Sequence, residues 1–237
     1  MKNALWSVGL LGAIIVLAPS ARAQTIAFDL PTPVAGTQNF PSTLGLDFTV
    51  NSLITVQNLG VFDSAVGRVP HTIVDTLTTT IYDRATQLAV PGLSVTFTAG
   101  SPGALTGGNL FKVINGGLGI NLAPGNYTVA STGFINANKV GVFGDPGFVP
   151  DVYNNGAGAI TINTTQYRYN NAIAPFAGND VYPATTASGQ LNAGTFAFSS
   201  VSSTPEPGVL SLMLGLGTVG IGAGVRLRRR RPTARKG

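Results

Sequence analysis

The stretch LGLDFTVN, residues 44–51, alternates apolar and polar side chains with a period of two. Leu44, Leu46, Phe48 and Val50 would lie on one side of an extended chain, and the intervening Gly, Asp, Thr and Asn on the other. Successive side chains of a β-strand point to opposite faces, so this pattern predicts a strand with one buried face.

The same alternation recurs along the middle of the chain, where Thr, Val, Ile and aromatic residues dominate, as is typical of strands. It recurs at Leu77–Ile81, Leu93–Phe97, Leu118–Leu122, Tyr127–Val129, Ile160–Ile162 and Phe196–Phe198. The predicted turns between them are Pro91-Gly92, Pro102-Gly103, Pro124-Gly125, Pro146-Gly147 and Asn155-Gly156. Short strands separated by frequent turns predict an all-β fold, an antiparallel, jelly-roll-like β-sandwich of nine to eleven strands over residues 24–203.

The charge of the chain is unevenly distributed. The formal net charge is +5, but residues 24–203 carry five basic residues and eight aspartates, a net charge of −3. Nucleic-acid binding requires clustered Lys or Arg, so this domain is not predicted to bind nucleic acid. The chain contains no cysteine, which excludes disulfides, thiolate metal sites and a cysteine nucleophile.

The first 23 residues have the organisation of a secretory signal peptide. Lys2 provides a charged start, residues 4–18 are apolar, and Ala21-Arg22-Ala23 forms an A-x-A cleavage site before Gln24. The alternative is a first transmembrane helix, for which the apolar segment is short. The sequence therefore predicts export by the Sec machinery and a mature chain that starts at Gln24.

The last 34 residues, 204–237, combine a Pro205-Glu206-Pro207 triplet, an uncharged segment and a basic end. Nineteen residues separate Glu206 from the first arginine, and as a helix they would extend roughly 28 Å, close to the thickness of a bilayer core. We predict a transmembrane span over 208–225 and a basic cytoplasmic tail over 226–237. The membrane-stop arginines are Arg226, Arg228, Arg229, Arg230 and Arg231.

This order of triplet, span and arginines at the extreme C-terminus resembles the PEP-CTERM sorting signal of exported proteins of Gram-negative bacteria. The resemblance implies that a membrane protease/transpeptidase of the exosortase type recognises the tail and removes it. It also implies a setting of exopolysaccharide production and biofilm. The protein would be anchored transiently in the inner membrane and then reach the cell surface or the extracellular space.

A second resemblance covers much of the predicted domain. The segments LGLDFTVNSLITVQNLGVFDS (44–64), IYDRATQLA (81–89) and INLAPGNYTVAS (120–131) are similar to an uncharacterised β-sandwich domain of exported bacterial proteins. This resemblance implies a sandwich fold, but no activity is attached to that domain, so it carries no functional residue to this chain.

Catalytic patterns are weak. The single histidine, His71, lies in a predicted loop, and the aspartates fall mostly at strand ends and turns, where Asp is common for structural reasons. Calcium is an alternative in the stretch that holds Asp145, Asp151, Asn154 and Asn155, although no EF-hand spacing occurs.

Three classes of function remain open from the sequence. The leading hypothesis is a non-enzymatic surface or matrix protein associated with exopolysaccharide. The second is a carbohydrate-binding module that uses tyrosines of the loop-rich third of the chain, and the least favoured is a secreted hydrolase with paired aspartates. The tyrosines are Tyr153, Tyr167, Tyr169 and Tyr182.

Overall fold

The computed structural model describes residues 23–29, 36, 38–63, 73–135, 138–140, 152–163, 166–170, 181–183 and 193–201, with the backbone alone for 166–170 and 181–183. These residues form an all-β fold. The described ranges contain no α-helix, and a short 3-10 turn covers Asn115–Gly117.

The described residues contain fifteen strands, several of them only two or three residues long. They are β1 Thr25–Ile26, β2 Phe28–Asp29, β3 Thr43–Val50, β4 Ile54–Phe62, β5 Leu77–Asp83, β6 Ala89–Phe97, β7 Ala104–Thr106, β8 Asn109–Val113, β9 Ile120–Leu122, β10 Gly125–Thr132, β11 Val152–Tyr153, β12 Ile160–Ile162, β13 Gln166–Asn170, β14 Val181–Pro183 and β15 Gly194–Ser200. The count exceeds the predicted nine to eleven because the short strands flank long ones and carry little hydrophobic pattern of their own.

Two antiparallel sheets hold most of these strands. The larger sheet has the order β14-β13-β3-β10-β5-β6, with β12 also paired to β3. The smaller sheet has the order β1-β15-β4-β8-β7, with β9 also paired to β4, and β2 pairs with β11 separately. Successive strands β3, β4 and β5 alternate between the two sheets, so the chain crosses from one sheet to the other twice in this segment.

The sheets share a hydrophobic core, as in a β-sandwich. Phe48 of the larger sheet and Phe196 of the smaller sheet have ring centroids 4.6 Å apart, and Tyr127 stacks on Phe48 at 5.7 Å. A second cluster, which includes Phe62 and Phe97, fills another part of the interior. Full burial of each such side chain stabilises the fold by about 1.5–3 kcal/mol.

The predicted strand at residues 44–50 is confirmed as β3, and its apolar residues face the core as the alternation requires. The strands predicted around residues 77–81, 93–97, 127–129, 160–162 and 196–198 are also confirmed, as β5, β6, β10, β12 and β15. The Asn155-Gly156 turn is confirmed as well.

Two local predictions are wrong. Leu118 is not a strand residue; it follows the 3-10 turn and is 81% exposed, and the strand there begins at Ile120. Pro91-Gly92 is not a turn between strands but lies inside β6. This strand is at the edge of the larger sheet, where a proline does not remove a ladder hydrogen bond, and Gly92 takes a positive φ of 78° that suits glycine.

No helix among the described residues is long and apolar enough to cross a membrane. The predicted span over 208–225 and the apolar segment of the signal peptide lie outside the described residues, so both stay predictions.

Candidate ligand-binding surface

The outer face of the larger sheet is polar where β3 and β10 meet. Since Phe48 and Tyr127 face the core, the strand alternation directs Asp47 and Thr49 of β3 outward. Thr128 pairs with Asp47 in the register of β10 and β3, and Asn126 pairs with Thr49. Two adjacent rows of polar side chains therefore lie on the face opposite the core.

Asp47 is buried despite its position on this outer face, with 5% of its surface exposed. The Thr128 hydroxyl donates a hydrogen bond of 2.5 Å to Asp47 Oδ1, and Arg84 Nη1 lies 3.1 Å from Oδ2. A buried carboxylate is costly unless it is paired and hydrogen-bonded, and these two contacts provide that compensation.

Arg84 reaches Asp47 across an intervening strand. It directly follows β5, while Asp47 lies on β3, and β10 separates these two strands. The Arg84 backbone N–H donates to the carbonyl oxygen of Asn126 at 3.0 Å, which fixes the starting point of the side chain. The side chain remains 38% exposed, so its guanidinium is both anchored and open to solvent.

Further polar groups on this surface are held by hydrogen bonds between neighbouring strands. Thr49 Oγ1 donates to Asn126 Oδ1 at 2.8 Å. Asn51 Nδ2 donates to Thr161 Oγ1 of β12 at 2.9 Å. These bonds orient the Asn126 and Thr161 side chains, both of which are exposed.

Three open depressions lie in and beside this region, with volumes of about 340, 380 and 500 Å³. The first and second share the lining residues Thr161 and Ile162, and the second and third share Arg84. We call these three depressions together the polar groove. The residues that define it are Tyr153, Thr161, Asn163, Arg84, Asp83 and Asn126.

The far end of the polar groove, beside β5 and β10, consists of the turn after β5 and Tyr127 of β10. Asp83 Oδ1 accepts hydrogen bonds from the backbone N–H groups of Ala85 at 2.7 Å and Thr86 at 3.1 Å, as expected for an aspartate at a strand end. The Tyr127 hydroxyl donates to the Ala123 carbonyl oxygen at 3.0 Å. Burial, together with the nearby negative charge of Asp83, raises the pKa of Tyr127 above its ordinary value.

The near end of the polar groove is formed by the turn after β11. Asn154 Oδ1 accepts from the Gly156 N–H at 3.0 Å, and Asn155 Oδ1 accepts from the Gly158 N–H at 3.2 Å. Both asparagines considered for calcium thus use their amide oxygens to stabilise the turn. Their proposed neighbours Asp145 and Asp151 lie outside the described residues.

Tyr153 is the one tyrosine of the loop-rich third whose side chain the structure describes. It is half-buried, and its ring centroid lies 6.4 Å from that of Phe28. The side chains of Tyr167, Tyr169 and Tyr182 lie outside the described residues, although their backbones belong to β13 and β14.

Apart from Asp47, which lies in the middle of β3, the described aspartates lie at strand ends or in the adjoining loops, as predicted. Asp63 directly follows β4 and is buried, and Asp29 accepts a hydrogen bond of 2.9 Å from Asn109 Nδ2. Among the described residues, no group of three His, Cys, Asp or Glu side chains is arranged to hold a metal ion. His71 and Asp180 lie outside these residues.

The sorting residues Pro205, Glu206 and Pro207, the membrane-stop arginines and Ala21 lie outside the described residues. Ala23 and Gln24 are described and exposed. Asn58 Nδ2 donates to Gln24 Oε1 at 2.9 Å, and β1 starts at the next residue. The predicted cleavage position therefore immediately precedes the first strand of the sandwich.

No known protein family, curated protein or solved structure matches this chain.

The sequence did not point to the polar groove. Its available signal was Asp47, a charged residue in the middle of an otherwise uncharged strand. Arg84, its partner, is 37 residues away in the sequence, and only the strand order brings the two together.

Proposed function

We propose that this protein is exported, processed by an exosortase-type enzyme, and retained as a non-enzymatic component of the cell surface or extracellular matrix, in association with exopolysaccharide. The observation that carries this proposal is the C-terminal order of Pro205-Glu206-Pro207, apolar segment and arginine cluster. Its resemblance to the PEP-CTERM signal supports both the route and the setting.

The limits of the folded domain support the same proposal. The first strand begins at Thr25, one residue after the proposed mature N-terminus, and the last strand ends at Ser200, four residues before the tail. Removal of residues 1–23 and of the tail would leave every described strand in place.

We infer that the sandwich is of the jelly-roll class. The strand orders β1-β15-β4-β8 and β3-β10-β5-β6 are those of a jelly roll, with β12, β13 and β14 added at the β3 edge. Lectin domains use this architecture, but architecture alone does not assign a ligand.

A second candidate function, carbohydrate binding, is favoured by the polar groove. Small-molecule sites commonly occupy about 300–1,000 Å³, and the three depressions fall in this range. Oriented amide, hydroxyl and guanidinium groups line them, with Tyr153 at one end. A secreted hydrolase remains the least favoured proposal.

The proposed sorting is tested by replacing Glu206 with Gln. In an extended Pro-Glu-Pro segment this carboxylate is the charge available for specific recognition, because the prolines restrict the backbone away from helix. In a pulse-chase experiment in the native host, the wild-type chain should shorten by about three kilodaltons as it leaves the membrane fraction, which is the expected mass of the tail at the average mass of its residues. The Glu206→Gln chain should stay full-length and membrane-bound.

Replacement of the membrane-stop arginines by neutral residues is the matched comparison, and it should weaken membrane retention and orientation instead. Mass spectrometry of the released protein should find Gln24 at the N-terminus. Persistence of the whole tail on the mature wild-type protein, or normal processing of Glu206→Gln, would contradict the proposal.

A further inference from the structure

We propose that the polar groove binds an extended segment of a neutral polysaccharide. The inference deepens the proposed function and rests on it for the source of the ligand, the exopolysaccharide matrix. The site itself is argued from the contacts, charges and shape of the described residues.

The hydrogen-bonding groups of the polar groove are oriented but not fully used. Asn126 Oδ1 accepts from Thr49, so the Asn126 amide NH2 is directed away from that bond and is exposed. A guanidinium carries five N–H donors, and the ion pair with Asp47 engages Nη1 of Arg84. Planar groups held in this way suit the closely spaced hydroxyls of a sugar ring, because little side-chain entropy is lost on binding.

The charges of the polar groove favour a neutral ligand. Among the described residues that line these depressions, Asp47 and Asp83 contribute two negative charges and Arg84 contributes one positive charge. The surrounding domain, residues 24–203, has a net charge of −3. A uronate or sulfated polymer would be repelled by this surface, whereas a neutral chain would not.

The shape of the polar groove favours a polymer over a compact ligand. Three depressions connect through shared residues, and none of them is an enclosed cavity. Tyr153 adds an aromatic ring at one end, and Phe28 supports it from behind at a centroid distance of 6.4 Å. An aromatic side chain of this kind can pack on the apolar face of a sugar ring.

A protein partner fits this surface less well. The centres of protein–protein interfaces are enriched in aromatic residues and depleted of charge. The centre of the polar groove instead holds the Asp47–Arg84 ion pair, with Thr49 and Thr161 beside it.

The chain offers a matched control for the groove. Thr55 Oγ1 donates to Asn121 Oδ1 at 2.8 Å, between β4 and β9 of the smaller sheet. This is the same cross-strand pair of residues, at the same distance, as Thr49 and Asn126 of the larger sheet. Asn121 and Asn126 are both exposed, so their replacement by Ala removes equivalent groups from the two sheets.

The experiment uses the full chain, purified in a mild detergent, and exopolysaccharide of the native host separated by anion exchange into neutral and acidic fractions. Affinity electrophoresis measures retardation by each fraction. The wild-type chain should be retarded by the neutral fraction, and Asn126→Ala and Arg84→Lys should each weaken this binding about five- to tenfold, the loss expected for one or two hydrogen bonds. Asn121→Ala should bind like the wild type.

Arg84→Lys keeps the positive charge beside Asp47 but removes the planar guanidinium. A loss of binding in this variant is therefore not explained by an unpaired Asp47 that unfolds the domain. Circular dichroism of each variant checks the fold. Absence of retardation by the neutral fraction, preference for the acidic fraction, or an equal loss in Asn121→Ala would overturn the inference. A chain that is exported and processed normally but is not retarded contradicts this inference alone, whereas a chain that is retarded but never processed contradicts the sorting proposal alone.

Discussion

At the scale of single residues, Asp47 and Gln57 show how position within a strand decides the role of a polar side chain. Asp47 lies on the outer face, where Thr128 and Arg84 compensate its burial. Gln57 of β4 is left without a partner on β15, because the register passes from Val56 to Asn58. The extra residue is a β-bulge, and Gln57 Oε1 is buried there with no hydrogen-bond partner among the described residues.

Ala157 carries backbone strain in the turn at the near end of the polar groove. Its φ is 57°, between Gly156 at 58° and Gly158 at 88°. A left-handed conformation costs a non-glycine residue about 1–2 kcal/mol, and replacement by Gly removes this cost but loosens the unfolded chain by about 0.4–1 kcal/mol. We expect Ala157→Gly to raise the free energy of unfolding by about 0.5 kcal/mol in urea titrations.

Ala85→Gly is the matched control for this prediction. Ala85 lies in an exposed turn and is not among the residues with positive φ, so Gly there should lower the stability. A loss of stability in Ala157→Gly as large as that in Ala85→Gly would contradict the strain at Ala157.

Tyr127 makes the stability of the fold depend on pH in the alkaline range. Burial and then the charge of Asp83 raise its pKa, so the folded state favours the protonated hydroxyl. The unfolded state releases this proton near pH 10, whereas the folded state keeps it, so the contribution of Tyr127 to stability is constant below that pH and falls as the pH rises further. Urea titrations from pH 8 to 11 should show this decrease.

The pKa of Tyr82 is also raised, chiefly by burial, so both tyrosines contribute to the alkaline decrease. The Tyr127→Phe variant should be less stable at pH 8, since the bond to the Ala123 carbonyl is lost, but its decrease above pH 10 should be shallower. An unchanged slope in this variant would refute the assignment to Tyr127.

At the scale of elements, β4 shows why a central strand can be missed when strands are predicted from alternating apolar and polar residues. Ile54 and Val56 face the core at even positions, whereas Leu59 and Val61 do so at odd positions, and all four are fully buried. The bulge at Gln57 shifts the phase by one residue. The strand of nine residues therefore contains two short alternating segments that are out of step.

Close packing between neighbouring strands depends on Gly60 of β4. A Cβ atom there would lie 2.6 Å from Phe111 Cε1 and 2.7 Å from Thr195 Cγ2. We expect Gly60→Ala to lower the free energy of unfolding by about 1–3 kcal/mol, because the buried side chains of Phe111 and Thr195 must move to admit the methyl group. Chemical denaturation of the full chain in detergent measures the change.

Gly100→Ala is the control for Gly60→Ala. A Cβ atom at Gly100 would meet nothing within 4 Å, so this change should alter stability by no more than about 0.5 kcal/mol. If Gly60→Ala were as mild as Gly100→Ala, the Phe111 ring would be free to move aside, and the packing argument would fail.

At the scale of the whole molecule, the fold is closed by pairs that are distant in the sequence. β1 pairs with β15, so the first and last described strands are neighbours in one sheet. In the other sheet, β3 pairs with β10. Such a topology completes its core only when both ends of the domain are present. In the sequence, the predicted tail begins four residues after the end of the last described strand.

We expect residues 24–203 to fold without the leader and the tail. Every described strand lies within this range, and a domain of this size can bury a sufficient core without disulfides. Far-UV circular dichroism should show a β-rich spectrum and a single cooperative thermal transition. A truncation to residues 24–192, which removes β15, should abolish the transition, because β15 carries Phe196 and Phe198 into the core.

A helix-dominated spectrum of residues 24–203, or a cooperative transition that survives the loss of β15, would contradict this view of the domain.

The sequence by itself determined the all-β class, the positions of β3, β5, β10 and β15, and the location of Asp63, Asp75 and Asp83 at or near strand ends, because alternation and turn chemistry are local. Local pattern also supports the two proposed processing signals, which stay predictions. Only the tertiary structure decided the course of β4, the place of Pro91-Gly92 inside an edge strand, and the polar groove. Each depends on which strands become neighbours, and strand order joins residues such as Asp47 and Arg84 that no local pattern relates.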